Sequence, residues 1–251
     1  MKLELVFMSD LPRLLNKERS ALYWSHIYCL IKCLEAVVQY RIGTCRPFTN
    51  ATDICTIELM PDMIMHEHLW VQSAAVRLLK VYVSVDRDHN QKLTTHIFTF
   101  KDTKVLSDSL MLHFERLSCT NTCDDLTLEC VFYCLSKFSE TLVSTREGTL
   151  HLESLLARCC KAIEVTRAHN ICDTILRWVA GIITYTADMP DVSSVLCHHV
   201  VLLCGVVNAR SSSESSQNLA REILCMLQHL LPQNALLDVL NQAQQMKNHV
   251  R

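Results

Sequence analysis

The stretch HEHLWVQSAAVRLLKVYV, residues 66–83, decides the fold class of this chain. Residues spaced three or four apart lie on one face of an α-helix. The apolar residues of this stretch keep that spacing, at Val71, Ala74, Ala75, Leu78, Leu79 and Tyr82. Trp70 opens the segment and is predicted to be a core anchor, while Gln72 and Arg77 flank the face where they can reach solvent or the preceding turn. The pattern predicts an amphipathic helix whose two alanines let a neighbouring helix approach closely.

The same helical period recurs along the rest of the chain. A second helix is predicted just before Trp70, capped near Asp62 beside Pro61. Another is predicted from about Pro12, and one with Ser20 as its N-cap covers residues 20–40. Further helices are predicted over residues 103–117, 124–143, 150–166, 170–186, 191–208, 216–231 and 233–250. With only 4 Gly and 5 Pro among 251 residues, tight turns are scarce, and the predicted class is all-α.

Successive helices joined by short loops give roughly forty residues per helix pair, the period of HEAT repeats. We therefore expect a HEAT-like α-α solenoid of stacked antiparallel helix pairs, forming a single helical-repeat domain over residues 1–251. An irregular inter-repeat segment is expected near residues 84–102, where residues 92–100 alternate weakly as a strand would. Ser211–Ser216 is expected to be a solvated loop whose composition suits phosphorylation.

Charge and cysteine content exclude several classes of function. The net charge is −2 and the basic residues are scattered, which argues against autonomous nucleic-acid binding. Fourteen cysteines lie mostly on apolar helix faces and are expected to pack there as small hydrophobic groups in a reducing, intracellular compartment. Those placed on such faces are Cys29, Cys33, Cys130, Cys134, Cys159, Cys172, Cys197, Cys204 and Cys225. The longest apolar run, residues 195–207, is too short to span a bilayer, so no membrane segment is predicted.

The strongest metal-like pattern is Cys119, Cys123, Cys130 and Cys134. Zinc prefers closer CxxC knuckles, and Cys130 and Cys134 share a helix face, so a core-plus-loop interpretation is favoured over a metal site. His199 is expected to be a satisfied helix residue, and one of Cys159 and Cys160 to be packed while the other faces outward. Gly181 and Gly205 are expected at close helix contacts, and Trp178 in the core.

No nucleophile elbow, phosphate-binding loop or paired carboxylate motif is present, so the prediction is a non-enzyme. We expect no catalytic, cofactor-binding or metal-binding residues, no cofactor and no small-molecule substrate. A zinc- or redox-dependent enzyme stays as an alternative of another class.

Four blocks resemble the C-terminal region of the DRIM family, the giant HEAT-repeat scaffolds of the small-subunit processome. They are residues His68–Leu79, Leu176–Ala180, Asn218–Leu224 and Ala235–Arg251, and their order agrees with the family. The family's long basic tail is not matched, and the chain is expected to be the C-terminal piece of a larger array.

The resemblance implies a non-catalytic scaffold in ribosome small-subunit assembly and pre-rRNA processing, located in the nucleolus of the nucleus. Its partners would be processome proteins, with indirect or weak contact with pre-rRNA and no membrane. A HEAT-like adaptor in another intracellular complex, in transport or signalling, is the alternative.

Overall fold

A computed structural model describes residues 10–15, 22–44, 51–84, 98–120, 124–165, 169–210 and 213–230. Every element of regular structure within these ranges is helical, which confirms the all-α prediction. Besides a short helical segment at residues 10–14, the described part of the chain contains these helices: α1 (Trp24–Gly43), α2 (Ala51–Ile64), α3 (Leu69–Ser84), α4 (Phe100–Thr120), α5 (Asp125–Leu142), α6 (Arg146–Val165), α7 (His169–Tyr185), α8 (Pro190–Arg210) and α9 (Glu214–Leu230).

The chain groups into two compact units, residues 1–114 and residues 115–251. In the first unit α3 packs against both α1 and α2. The predicted apolar face of α3 is fully buried, at Val71, Ala74, Ala75, Leu78, Leu79 and Tyr82. On α1 the buried apolar residues Ile27, Ile31, Leu34 and Val38 also recur at helical spacing. The core of this unit therefore follows the helical period of the sequence.

In the second unit, helices pack on the next helix but one as well as on their neighbours. α5 packs against α7, α7 against α9, and α6 against α8, while α5–α6 and α8–α9 are neighbouring contacts. α5, α7 and α9 begin at Asp125, His169 and Glu214, which lie 44 and 45 residues apart. In the same unit, Arg158 on α6 holds the Glu115 carboxylate of α4 with two hydrogen bonds of 2.8 and 2.9 Å.

Side-chain caps place two helix starts earlier than the sequence predicted. Thr99 and Asp102 form a reciprocal capping box, in which each side chain accepts from the other residue's backbone N–H, so α4 begins at Phe100 rather than at residue 103. The predicted irregular segment near 84–102 is thus wrong at residues 100–102, and residues 85–97 lie outside the described ranges. The Thr145 hydroxyl accepts from the Gly148 N–H at 3.0 Å, so α6 begins at Arg146 rather than at residue 150.

Two other predicted helix starts have different outcomes. The start predicted at residue 124 is nearly right, because the Asp124 carboxylate caps α5 by accepting from the Thr127 N–H at 2.7 Å. The prediction of a helix start near Asp62 is wrong. Pro61 lies inside the last turn of α2, and the Pro61 carbonyl accepts from the Met65 N–H at 3.0 Å. The predictions for Ser20, the residue 92–97 alternation and helix 233–250 fall outside the described residues.

The Ser211–Ser216 prediction is partly wrong. Residues 211–212 are outside the described ranges, but Glu214–Ser216 form the first turn of α9. Ser216 is fully buried and donates to the Asp173 carboxylate on α7. The second half of the segment is therefore a packed helix start and not a solvated loop.

The apolar helix α8 is longer than its apolar run suggested. Among the described residues, Pro190–Asn208 is the one helical window long and apolar enough to cross a membrane by length and composition, and 44% of it is buried. The prediction that the apolar run is too short to span a bilayer is therefore wrong for the helix that contains it. A buried core helix passes the same test, and α8 packs against α6, α7 and α9.

The close helix contacts predicted at Gly181 and Gly205 are not found. A Cβ at Gly205 would have no atom within 4 Å, and one at Gly181 would meet only the Ser136 Oγ at 3.7 Å, so neither is a close contact. Gly148 is the close contact instead, because a Cβ there would lie 2.1 Å from the Leu142 carbonyl oxygen. The tight turn between α5 and α6 brings the backbone at Gly148 close to the backbone at Leu142.

Candidate functional site

Trp70 lies at the surface, with 58% of the residue exposed, so its predicted core position is wrong. The residue is the second of α3 and precedes Val71, and each step turns an α-helix by about 100°. That rotation carries Trp70 away from the buried face that begins at Val71. An exposed tryptophan is unusual enough to direct attention to its surroundings.

Trp70 belongs to an exposed aromatic cluster, which we define as Trp24, Tyr28, His68 and Trp70. The rings of Trp24 and His68 are stacked, with centroids 3.8 Å apart and planes 3° from parallel. The Trp70 ring stands edge-on to both, 5.6 Å from Trp24 and 6.1 Å from His68, and lies 6.0 Å from Tyr28. Such stacked and edge-to-face pairs are the favoured geometries of aromatic rings.

Backbone hydrogen bonds in the turn between α2 and α3 fix the cluster. The His68 Nδ1 accepts from the Trp70 N–H at 3.3 Å, in the role of a helix N-cap. The His66 Nδ1 accepts in turn from the His68 N–H at 2.9 Å. Gln72 donates from its side-chain amide to the His66 carbonyl, which confirms its predicted reach to the preceding turn. The His68 ring is therefore held in orientation from its own backbone neighbours while it stacks on Trp24.

The chemistry of the cluster is that of a contact surface. Trp24, Tyr28 and His68 are half-buried, while Trp70 and the adjacent Leu69 are exposed. A rigid, partly exposed group of aromatic rings offers large contact area at a low cost in side-chain entropy. Tryptophan and tyrosine are the residues most enriched among the energetic centres of protein interfaces. The arrangement contains no nucleophile–base pair.

Trp178, unlike Trp70, is buried, which confirms its predicted position in the core. Only 2% of the residue is exposed, and the indole Nε1 donates to the Ser139 Oγ at 3.0 Å. Its ring lies 5.6 Å from that of Phe132. Trp178 thus anchors α7 to α5.

The cysteines divide into two groups. Six on predicted apolar faces are buried, namely Cys130, Cys134, Cys159, Cys172, Cys197 and Cys204. Burial raises the pKa of the Cys197 thiol to about 11 and that of Cys204 to about 12. The prediction is wrong for Cys29, Cys33 and Cys225, which are exposed. As expected, Cys159 is packed while its neighbour Cys160 is partly exposed.

The cysteines of the metal-like sequence pattern lie in different environments. Cys130 and Cys134 are buried together on α5, as the core interpretation required, whereas Cys119 is exposed and Cys123 lies outside the described residues. Within the described ranges, no group of three or more His, Cys, Asp or Glu side chains could hold a metal ion.

The expectation that His199 is a satisfied helix residue is wrong, because its buried Nδ1 has no hydrogen-bond partner in the described part of the chain, although a carboxylate of α6 lies nearby. Its Nδ1 lies 3.4 Å from the Glu153 Oε1, and its ring stands edge-on to that of His198 at 5.2 Å. Burial lowers the pKa of His199, with Glu153 acting in the opposite direction and His198 in the same one. The neighbouring Cys160 Sγ lies 3.7 Å from the His199 carbonyl oxygen.

No protein-family model, no curated protein and no solved structure matches this chain.

Proposed function

We propose that this protein is a non-catalytic helical-repeat scaffold that binds other proteins through the exposed aromatic cluster of Trp24, Tyr28, His68 and Trp70. The observation that carries the proposal is the exposure of Trp70 on a cluster held by ring contacts and by hydrogen bonds in the turn between α2 and α3. Interface centres of this type combine rigid aromatic rings with a polar rim. The exposed Glu67 and the partly exposed Lys32–Glu35 ion pair supply polar groups on the same helices or turn.

The scaffold is a HEAT-like α-α solenoid in this proposal. Packing on the next helix but one, as in α1 on α3, α5 on α7, α6 on α8 and α7 on α9, is what stacked helix pairs produce. The starts of α5, α7 and α9, spaced by 44 and 45 residues, fall within the range of HEAT repeats. Scaffolds of this architecture act by shape-complementary docking along extended surfaces.

The partners we propose are proteins of the small-subunit processome, in the nucleolus, with pre-rRNA contacted indirectly or weakly. The resemblance of the His68–Leu79 block to the DRIM family supports this choice, and that block is also the one that carries Trp70. The net charge of −2 favours docking on proteins over direct binding to RNA. An adaptor in another intracellular complex is the alternative.

Affinity purification followed by mass spectrometry tests the proposal with two variants. Trp70→Ala removes the exposed ring, and a central interface tryptophan typically contributes at least about 2 kcal/mol, or roughly 30-fold in Kd. We expect this variant to lose small-subunit assembly proteins that the unmodified chain retains. Ile54→Ala is the matched control, because Ile54 is 56% exposed on α2 but lies outside the cluster.

The outcomes separate the alternatives. Loss of a different set of proteins in Trp70→Ala supports docking through the cluster but assigns the chain to another complex. Equal recovery of all partners by both variants rejects the cluster as the docking surface. Stoichiometric zinc in the purified chain, with unfolding in chelator, would favour the metal-dependent alternative.

A further inference from the structure

The exposed charged residues on the helices that carry the aromatic cluster are of one sign. Within residues 22–44 and 51–84, every exposed residue of the Asp, Glu, Lys and Arg types is acidic. We call these residues the acidic strip: Glu58, Asp62 and Glu67. A surface whose exposed charges share one sign attracts partners of the opposite sign.

The basic side chains of the same helices do not offset the acidic strip, since they have counter-ions or lie further away. The partly exposed Lys32 is ion-paired with Glu35 on α1, and Arg41 is buried against Asp53. The two basic residues of α3, at positions 77 and 80, are half-buried and follow Trp70 by at least seven residues, or about 10 Å of helix. The acidic strip therefore sets the sign of the charge beside the cluster.

The acidic strip leads along the chain to the aromatic cluster. Glu58 and Asp62 lie four residues apart in the second half of α2, so they share one face of the helix and are about 6 Å apart along its axis. Glu67 lies in the turn after α2 and is the covalent neighbour of His68, whose ring stacks in the cluster. One turn of the chain therefore presents a carboxylate next to the exposed rings.

We infer that the segment of the partner protein that docks on the aromatic cluster is positively charged, with an arginine or lysine side chain against the exposed Trp70 indole and further cations facing the acidic strip. This inference rests on the function proposed above and names the chemistry of its partner. Tryptophan is the aromatic side chain that attracts cations most strongly, and 58% of Trp70 is exposed. Arginine suits both parts of the surface, because its guanidinium plane stacks on an aromatic ring and forms paired hydrogen bonds with carboxylates.

The same charges disfavour other classes of occupant. The phosphates of RNA would lie against carboxylates, and the partly exposed Lys32 already has Glu35 as its counter-ion. A purely apolar segment would cover the rings but would take Glu67 out of water without supplying a cation. A positively charged segment of a protein satisfies both the rings and the carboxylates.

Binding of a basic peptide to the purified full chain tests the inference. The probe is an acetylated and amidated peptide of alternating arginine and glycine, and the matched probe replaces each arginine by citrulline, which has nearly the same shape but no charge. Tryptophan fluorescence follows binding, because the exposed Trp70 responds to a cation on its ring, whereas the buried Trp178 does not. We expect the arginine peptide to bind roughly tenfold more tightly than the citrulline peptide. Its affinity should fall as salt rises from about 0.1 M to about 1 M.

Two variants locate the contact on the surface. Glu58→Gln/Asp62→Asn/Glu67→Gln removes the charge of the acidic strip and should weaken binding of the arginine peptide roughly tenfold, through the loss of three exposed ion pairs. Trp70→Ala should weaken it about fivefold, measured by calorimetry because the fluorescence of Trp70 is lost. Circular dichroism verifies that each variant keeps its helices.

The matched control makes the same change of charge at exposed residues of the second unit: Glu129→Gln/Asp188→Asn/Glu222→Gln. Its affinity for the arginine peptide should equal that of the unmodified chain. Equal weakening by the two triple variants would indicate a general attraction to the net charge of the chain and would overturn the inference. Equal affinity for the arginine and citrulline peptides, or tighter binding of a polyuridine RNA than of the arginine peptide, would overturn it as well.

Affinity purification with the variant that lacks the acidic strip separates this inference from the proposed function. Loss of the same proteins that Trp70→Ala loses supports a positively charged docking segment. Retention of those proteins would overturn the inference while leaving the cluster as the docking surface. Retention of all partners by Trp70→Ala would reject the cluster itself and the inference with it.

Discussion

Arg41 and Asp53 form a bidentate ion pair in the interior of the first unit. The Arg41 Nη1 donates to the Asp53 Oδ1 at 2.9 Å and the Nη2 donates to the Oδ2 at 3.0 Å. The Tyr82 hydroxyl donates to the same Oδ1 at 3.1 Å. The pair joins the last turn of α1 to the first turn of α2, and Tyr82 adds α3. Three helices are therefore fixed to one buried carboxylate.

Removing that carboxylate should be strongly destabilising. Asp53→Ala leaves the Arg41 guanidinium buried without its counter-ion, and loss of one partner of a buried pair costs about 3–5 kcal/mol in the free energy of unfolding. Urea denaturation followed by circular dichroism measures it. Asp62→Ala, at an exposed site on the same helix, should change stability by less than about 0.5 kcal/mol. Equal stability of the two variants would show that the ion pair contributes nothing.

Tyr82 should make the protein sensitive to alkaline pH. Burial first, and then the Asp53 carboxylate, raise the pKa of Tyr82 well above its ordinary value of 10.0. A group whose pKa is raised by folding contributes stability below its unfolded pKa and loses that contribution as pH rises through and above it. The thermal midpoint should therefore fall more steeply above pH 10 in the unmodified protein than in Tyr82→Phe. Parallel curves for the two proteins would contradict the assignment.

Two glycine substitutions should have opposite signs. Gly148→Ala places a methyl group 2.1 Å from the Leu142 carbonyl oxygen, and the backbone shift this forces should cost about 1–3 kcal/mol. Gly205→Ala adds a methyl group in open space inside α8 and should stabilise by about 0.5–1 kcal/mol. Thermal denaturation of both variants provides the comparison. Destabilisation by Gly205→Ala would mean that its surroundings are filled.

Thiol labelling should separate the cysteines by burial. Cys29, Cys33, Cys119 and Cys225 are exposed and should react quickly with N-ethylmaleimide. Cys159 and Cys204 should react only on unfolding, because burial raises the pKa of both thiols and excludes the reagent. Peptide mass spectrometry after timed labelling gives the rate at each site. Fast labelling of Cys204 in folded protein would contradict the packing of α8.

The helical period was sufficient to predict the class of fold and much of the core. Leu78, Leu79 and Tyr82 were assigned to a buried face from spacing alone, because an amphipathic helix has one side that must leave water. Helix starts were less predictable. Thr99 and Thr145 cap helices through short-range hydrogen bonds, and such bonds do not change the spacing of the apolar residues. Both caps carry a signal that could have been found, a threonine three residues before Asp102 or Gly148.

The candidate site was only half visible in the sequence. The stretch around Trp70 was singled out for its helical pattern, but its tryptophan was assigned to the core, since aromatic residues are usually buried. Trp24 and Tyr28 were not singled out at all. They come from a helix that starts 45 residues before α3, and no local pattern links them to His68.

The sequence by itself determined that the described part of this chain is helical, that its helices bury one apolar face, and that six of the nine cysteines assigned to such faces are buried. Tertiary structure decided which side chains outside those faces meet. It stacked Trp24 on His68, exposed Trp70, and brought Arg41 to Asp53. Periodicity is a property of neighbours along the chain, whereas these contacts depend on how separate helices pack, and only folding sets that geometry.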